Sequence, residues 1–80
     1  MMTRARLDDD AKERLGAKIK ESREEHGFTQ QDLANELDVS LQTVQGWEQG
    51  RYAPSARAAK SALKKVLNID VDTLIRSGKF

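Results

Sequence analysis

The stretch Phe28-Thr29-Gln30-Gln31-Asp32-Leu33-Ala34-Asn35-Glu36-Leu37-Asp38-Val39-Ser40-Leu41-Gln42-Thr43-Val44-Gln45-Gly46-Trp47-Glu48-Gln49-Gly50 decides how this chain folds. Thr29 is followed three residues later by Asp32, the spacing at which two side chains satisfy each other's first-turn N–H groups, so a helix starts here. Leu33, Ala34 and Leu37 give that helix, 30–37, its apolar stripe, and Phe28 stands before the cap where it can staple to Leu33 or its neighbours. Asp38 and Val39 make a short turn, and Ser40 caps a second helix, 41–49, whose inward face is Val44 and Trp47 and which stops at Gly50. A helix, a three-residue turn and a helix, with Leu33, Leu37, Val39, Val44 and Trp47 apolar, lock at a steep angle and leave the second helix protruding.

The rest of the chain reads as helix on both sides. β-branched residues are few, no segment alternates cleanly, and Ala, Leu, Glu, Gln, Lys and Arg dominate. A helix is expected from the Asp8-Asp9-Asp10 run, where acids suit the positive end of the dipole, through Ala11, Leu15 and Ile19 to His26, with Gly27 as its left-handed cap. After the loop Arg51-Tyr52-Ala53-Pro54, Ser55 is expected to cap a helix reaching about Leu67, buried along Ala59, Ala62, Leu63, Val66 and Leu67. Asp70 caps a last short helix, Val71 to Arg76, closed by Ser77-Gly78. The expected architecture is all-α: a compact bundle of five short helices in a single helix-turn-helix domain, 10–78, behind a mostly flexible N-terminal arm, 1–9.

Composition narrows the function. With 80 residues the chain makes one domain around one modest core. The absence of Cys and the single His remove disulfides, thiolate metal sites and cysteine nucleophiles, and make a histidine metal cluster implausible. No nucleophile–base pair and no phosphate-cradling glycine loop is present, so neither an enzyme nor a cofactor or metal is expected. Asp8-Asp9-Asp10 reads as a solvated helix cap rather than a metal site. No apolar run approaches the roughly 20 residues of a membrane helix, and the N-terminus lacks the apolar segment of a signal peptide, so a soluble cytoplasmic protein is expected. The formal net charge of +1 hides a sign switch. Between 27 and 50 stand Asp32, Glu36, Asp38 and Glu48 with no Lys or Arg; between 51 and 65 stand Arg51, Arg57, Lys60, Lys64 and Lys65 with no acid. That basic run is either a face for an anionic partner or an ordinary solvated helix.

The protruding helix supplies the stronger signal. Its outward residues are Leu41, Gln42, Thr43, Gln45, Gly46 and Gln49, amide-rich and uncharged. A Gln amide donates and accepts at adenine N7 and N6 together, Leu41 suits a thymine methyl, and the Thr43 hydroxyl serves a base or a phosphate. Trp47 lies on the Val44 side and reads as core.

From Phe28 through Gly50 to Pro54, and on to the tail Leu67-Asn68-Ile69-Asp70-Val71-Asp72-Thr73-Leu74-Ile75, the sequence resembles the lambda-repressor-like, XRE-type helix-turn-helix family, over about Leu15 to Ile75. The resemblance implies a bundle whose third helix enters the DNA major groove, in mostly dimeric transcriptional regulators. It implies base contacts from Leu41, Gln42, Thr43, Gln45 and Gly46. Phosphate contacts fall to Gln30, at a helix N-terminus that itself favours an anion, and to Ser40, Gln49 and Arg51. Arg57, opening the fourth helix beside that loop, and Lys60 are further phosphate candidates; Lys64 and Lys65 are expected to face solvent. Arg23 and Glu48 match a structural ion pair joining the first helix to the third. Asp38 stands where the family usually has Gly, Ser22 where it has a core Leu. Gly46 removes a side chain where many relatives touch a base, leaving that step weakly specified or approached more closely by backbone.

The expected partner is double-stranded DNA, read by a homodimer on a palindrome whose half-sites lie about 34 Å apart, with repression as the simplest outcome. The last helix, with Leu74, Ile75 and Phe80 exposed, is the expected dimer surface. A second reading, from Val39 to Pro54, is similarity to short XRE-type antitoxins that bind a toxin protein and repress their own operon; a third is a bridging domain that does not read DNA.

Overall fold

Four of the five helices end in the same way, and those endings build the chain's turns. The computed structural model describes residues 9–77 as α1 (Asp9–Glu25), α2 (Gln30–Leu37), α3 (Leu41–Glu48), α4 (Arg57–Leu67) and α5 (Val71–Ser77), with no strand among them. Just past α1, α2, α3 and α4 stand Gly27, Asp38, Gly50 and Asn68, each at a φ between 58° and 77°. That left-handed turn brings the next two N–H groups back onto the helix's last carbonyls, as in Gly27 N–H to Glu24 and Phe28 N–H to Arg23, both 3.0 Å, so the end is satisfied without water. The residue after the left-handed one at the ends of α1, α2 and α4 is apolar (Phe28, Val39 and Ile69), and each turns back onto the core. Asp38 adopts φ 58°, ψ 45°, so the turn forms without the glycine the sequence lacks there.

The helix starts are set by side chains at α2, α3 and α5. Thr29 Oγ1 accepts the Asp32 N–H at 3.0 Å while Asp32 accepts the Thr29 N–H at 2.9 Å, the reciprocal pair read from the sequence. Ser40 Oγ accepts the Thr43 N–H, and Asp70 accepts the Thr73 N–H. The start of α4 differs from expectation. Its cap position is Ala56, with no side-chain hydrogen bond, and Ser55 lies one residue outside. Buried Pro54 and Ala59 flank that start.

One core joins all five elements: Leu15 and Ile19 of α1, Leu33, Ala34 and Leu37 of α2, Val44 and Trp47 of α3, Ala59, Leu63 and Leu67 of α4, and Ile69 with Val71 at the start of α5. At 25 cal/mol per Å², full burial of a Leu or Ile contributes about 1.5–3 kcal/mol, so the four such side chains at 0–1% exposure (Leu15, Ile19, Leu33, Leu63) anchor the bundle. α3 packs against both α1 and α2, and α5 closes against α1 and α4. Where α1 crosses α3 the backbones touch: a Cβ on Gly16 would stand 2.2 Å from the Trp47 carbonyl oxygen. Leu74 and Ile75, expected to be exposed, are instead half-buried against this core. Among the described residues Tyr52 is the exposed large apolar side chain. Residues 1–8, with Arg4 and Arg6, and residues 78–80, with Phe80, lie outside the described region. No described helix is long and apolar enough to cross a membrane.

Candidate nucleic-acid interface

The protruding helix is held by a polar network that starts in the interior. Arg23, on the buried side of α1, donates from Nε to Glu48 Oε2 at 2.7 Å and from Nη2 to Oε1 at 3.1 Å, and its Nη1 reaches the Phe28 carbonyl at 2.8 Å. The two side chains are only 9% and 3% exposed. A charge so shielded from water needs its partner in place, and two parallel N–H···O bonds supply attraction and orientation together. The Glu48 carboxylate accordingly holds the Arg23 guanidinium above its ordinary pKa, against the opposing effect of burial. The expected pairing of α1 with α3 is present, and it cancels one of the four acids between residues 27 and 50.

The network continues outward to the surface. Gln30, first residue of α2, donates from Nε2 to Glu48 Oε1 at 3.0 Å, and its own Oε1 accepts from Gln45 Nε2 at 3.5 Å. Each Gln amide carries two N–H groups, so after these bonds Gln30 keeps one N–H for a phosphate, and Gln45 keeps one N–H and its oxygen for a base edge. Two residues 15 apart, expected to serve phosphate and base separately, are thus one hydrogen-bonded unit fixed from the core. Neither the residue types nor their spacing reveals that bond, which depends on how α2 crosses α3.

The other expected contacts distribute as follows. Gln42 and Gln49 are exposed, and Leu41 and Thr43 are half-buried. Ser40 Oγ and Thr43 Oγ1 are 2.8 Å apart; one hydroxyl hydrogen lies between them, which leaves the second for an external oxygen. Arg51 and Arg57 are exposed, and no described carboxylate pairs with either. Lys60 is half-buried, and its ammonium meets Asp72 Oδ1 at 3.0 Å, so it faces a carboxylate rather than open solvent. Lys64 and Lys65 are exposed, as expected.

Gly46 is corrected by the structure. It stands in the outward row but is buried, because the phenol of Tyr52 lies over it: a Cβ there would stand 2.2 Å from Tyr52 Cζ. Neither an empty step nor a closer backbone results; an aromatic ring fills the place. By sequence Tyr52 belongs to the loop after α3, with nothing to mark a role for it. The signal was the glycine itself, since a Gly inside a helix costs about 1 kcal/mol relative to Ala and implies something close by.

A pair of capped helices joined by a short turn, amides on the second and a buried ion pair behind it define a helix-turn-helix domain. The helix-turn-helix family model matches residues 19–74, and the chain belongs to this XRE-type family. It is 48% identical over 42 residues to an uncharacterized HTH-type transcriptional regulator of Methanocaldococcus jannaschii, covering 52% of this chain and 64% of that one. An uncharacterized HTH-type transcriptional regulator of Methanothermobacter thermautotrophicus is 49% identical over 37 residues, 46% of this chain and 54% of the relative. A third, from Archaeoglobus fulgidus, is 35% identical over 60 residues and is covered to 84%. The chain spans between half and two thirds of the length of the first two relatives.

Proposed function

We propose that this protein is a sequence-specific DNA-binding regulator of transcription that lays α3 in the major groove. The observation that carries the reading is the outward pair of amides, Gln42 and Gln45, with Gln45 beside Gln30, itself hydrogen-bonded to the buried Glu48–Arg23 pair. A base-reading side chain gains discrimination when its amide is held in one orientation before the duplex arrives, because the ordering cost is met during folding. Gln30, Ser40, Gln49, Arg51 and Arg57 surround those amides with donors for phosphate. The relatives' designation as HTH-type transcriptional regulators supports the same role, whereas the toxin-binding reading gains nothing from them.

A single module of this kind buries only about 600–1,000 Å² of protein surface on DNA, so two copies on a palindrome, acting by occlusion of a promoter, complete the proposal. The experiment is a binding titration on the DNA upstream of the protein's own gene beside a scrambled duplex. A preference of about a thousandfold for the native fragment, lost in Gln42→Ala, is the expected result. Equal affinity for the two duplexes at every salt concentration would sink the specific-regulator reading.

A further inference from the structure

We propose that Tyr52 is a base-reading side chain lent to α3 by the loop behind it, and that the group it selects is the methyl of a thymine. The proposal rests on the DNA-reading function above and names one specificity determinant of that same face. Residues 42, 46 and 49 lie four and three apart, so they form one row along α3, and Gln42 and Gln49 at its two ends are exposed. Between them Gly46 has no side chain. The phenol end of Tyr52 occupies that position, with Cζ, Oη and Cε1 at 2.2, 2.3 and 2.7 Å from where a Cβ would be. The hydroxyl donates to the Gln42 carbonyl at 3.3 Å, which holds the ring along the helix.

The ring therefore stands where a residue-46 side chain would project, and it remains 45% exposed in the free protein. Its hydroxyl hydrogen is committed to α3, so what it presents outward, between two amides, is the apolar ring and an oxygen that can only accept. An exposed aromatic on a polar face has little to gain from water and much from an apolar partner. Among the base edges in the major groove, the apolar feature is the C5-methyl of thymine; every other group is a donor or an acceptor. A ring set into a row of glutamines thus adds a methyl reader to an adenine-reading surface. Gly46 is the residue that makes the seat, since any larger residue drives the ring off.

The test is selection of bound duplexes from a randomised pool by the full chain, by Tyr52→Phe, by Tyr52→Ala and by Gly46→Ala, followed by uracil-for-thymine exchange within the enriched site. The wild type and Tyr52→Phe are expected to enrich a thymine at one step per half-site. Tyr52→Ala and Gly46→Ala are expected to enrich the same site with that step degenerate. Uracil at that step is expected to weaken wild type about fourfold, the increment for one buried methyl, and to leave Tyr52→Ala unchanged. Thermal melting of each variant separates a lost preference from lost folding, and the uracil exchange on wild type needs no variant. The proposal falls if Tyr52→Ala retains the thymine preference, or if wild type is indifferent to uracil at every enriched thymine. If wild type enriches no site at all, the DNA-reading function fails and Tyr52 with it; an enriched site that ignores Tyr52 overturns the Tyr52 assignment alone.

Discussion

Replacing Arg23 with alanine is expected to remove a large part of the protein's stability, and replacing its partner as well is expected to give most of it back. In the wild type the Glu48 carboxylate, 3% exposed, accepts two bonds from Arg23 and one from Gln30. Arg23→Ala leaves that buried charge with Gln30 alone and strips the Phe28 carbonyl of its donor. Breaking a buried pair from one side costs about 3–5 kcal/mol. A chain of this size has about 4–12 kcal/mol in total, so the loss reaches a quarter or more of it. Glu48→Gln is expected to be milder, because Arg23 keeps the Phe28 carbonyl and lies 3.8 Å from Glu24. The double variant Arg23→Met/Glu48→Leu removes both charges but still leaves the Phe28 carbonyl without its donor, and is expected to recover most of the wild-type stability. Urea unfolding followed by far-ultraviolet circular dichroism reads this out. With a slope of about 1 kcal/mol per M, Arg23→Ala lowers the midpoint by about 3–5 M. The same double variant frees Gln30 and Gln45, so DNA discrimination is expected to drop while most of the stability is kept. An Arg23→Ala variant within about 1 kcal/mol of wild type, or a double variant as unstable as the single, would refute the reasoning.

Three further outcomes follow from the geometry. Gly16→Ala is expected to lose about 1–3 kcal/mol despite alanine's better helix propensity, since the new Cβ meets the Trp47 carbonyl, whereas Gly46→Ala meets only a movable ring and is expected to gain up to about 1 kcal/mol; paired thermal melts decide it. Asp32 and Asp70 both have depressed pKa values, each chiefly through a backbone N–H bond, from Thr29 and Thr73 respectively. Their contribution is therefore complete above the ordinary aspartate value of about 3.9 and lost as pH falls through the lower folded values, so the unfolding midpoint should decline below about pH 4, less steeply in Asp32→Asn/Asp70→Asn. With Lys60 beside Asp72 and no Lys or Arg in residues 27–50, the slope of log affinity against log salt should correspond to no more than about four phosphates per protomer; a steeper slope contradicts this charge distribution.

Local chemistry made much of the fold legible before any coordinates. The Thr29–Asp32 reciprocal cap, the Ser40 cap and the left-handed residues Gly27 and Gly50 depend on interactions within five residues, and the limits of α2 follow directly from them. Trp47 was placed by its phase relative to Val44. The start of α4 was missed by one residue because Ser55 has the right side chain, but the backbone turns helical only after Ala56. Leu74 and Ile75 were misjudged because a short terminal helix gives no sign of which neighbour covers it, and here it lies on α1 and α4. At the candidate site the residue types were readable and their couplings were not. The Gln30–Gln45 bond and the Tyr52 ring over Gly46 join residues 15 and six apart, through a crossing angle and a loop that no periodicity encodes.

The contact between Gly16 and the Trp47 carbonyl has a consequence for how the protein responds to heat. α3 has eight residues, well short of the about 12–15 at which an isolated helix begins to hold in water, so it persists only while something grips it. It is gripped near its C-terminal end by backbone contact and by the Arg23 clamp on Glu48, both from α1, the longest helix. Opening of the amide face is therefore expected to be coupled to loss of the α1 contact, which hydrogen exchange of the α3 backbone amides measures. A bound target that grips α3 would then stabilise α1 as well, so its binding is expected to raise the melting temperature of the whole bundle.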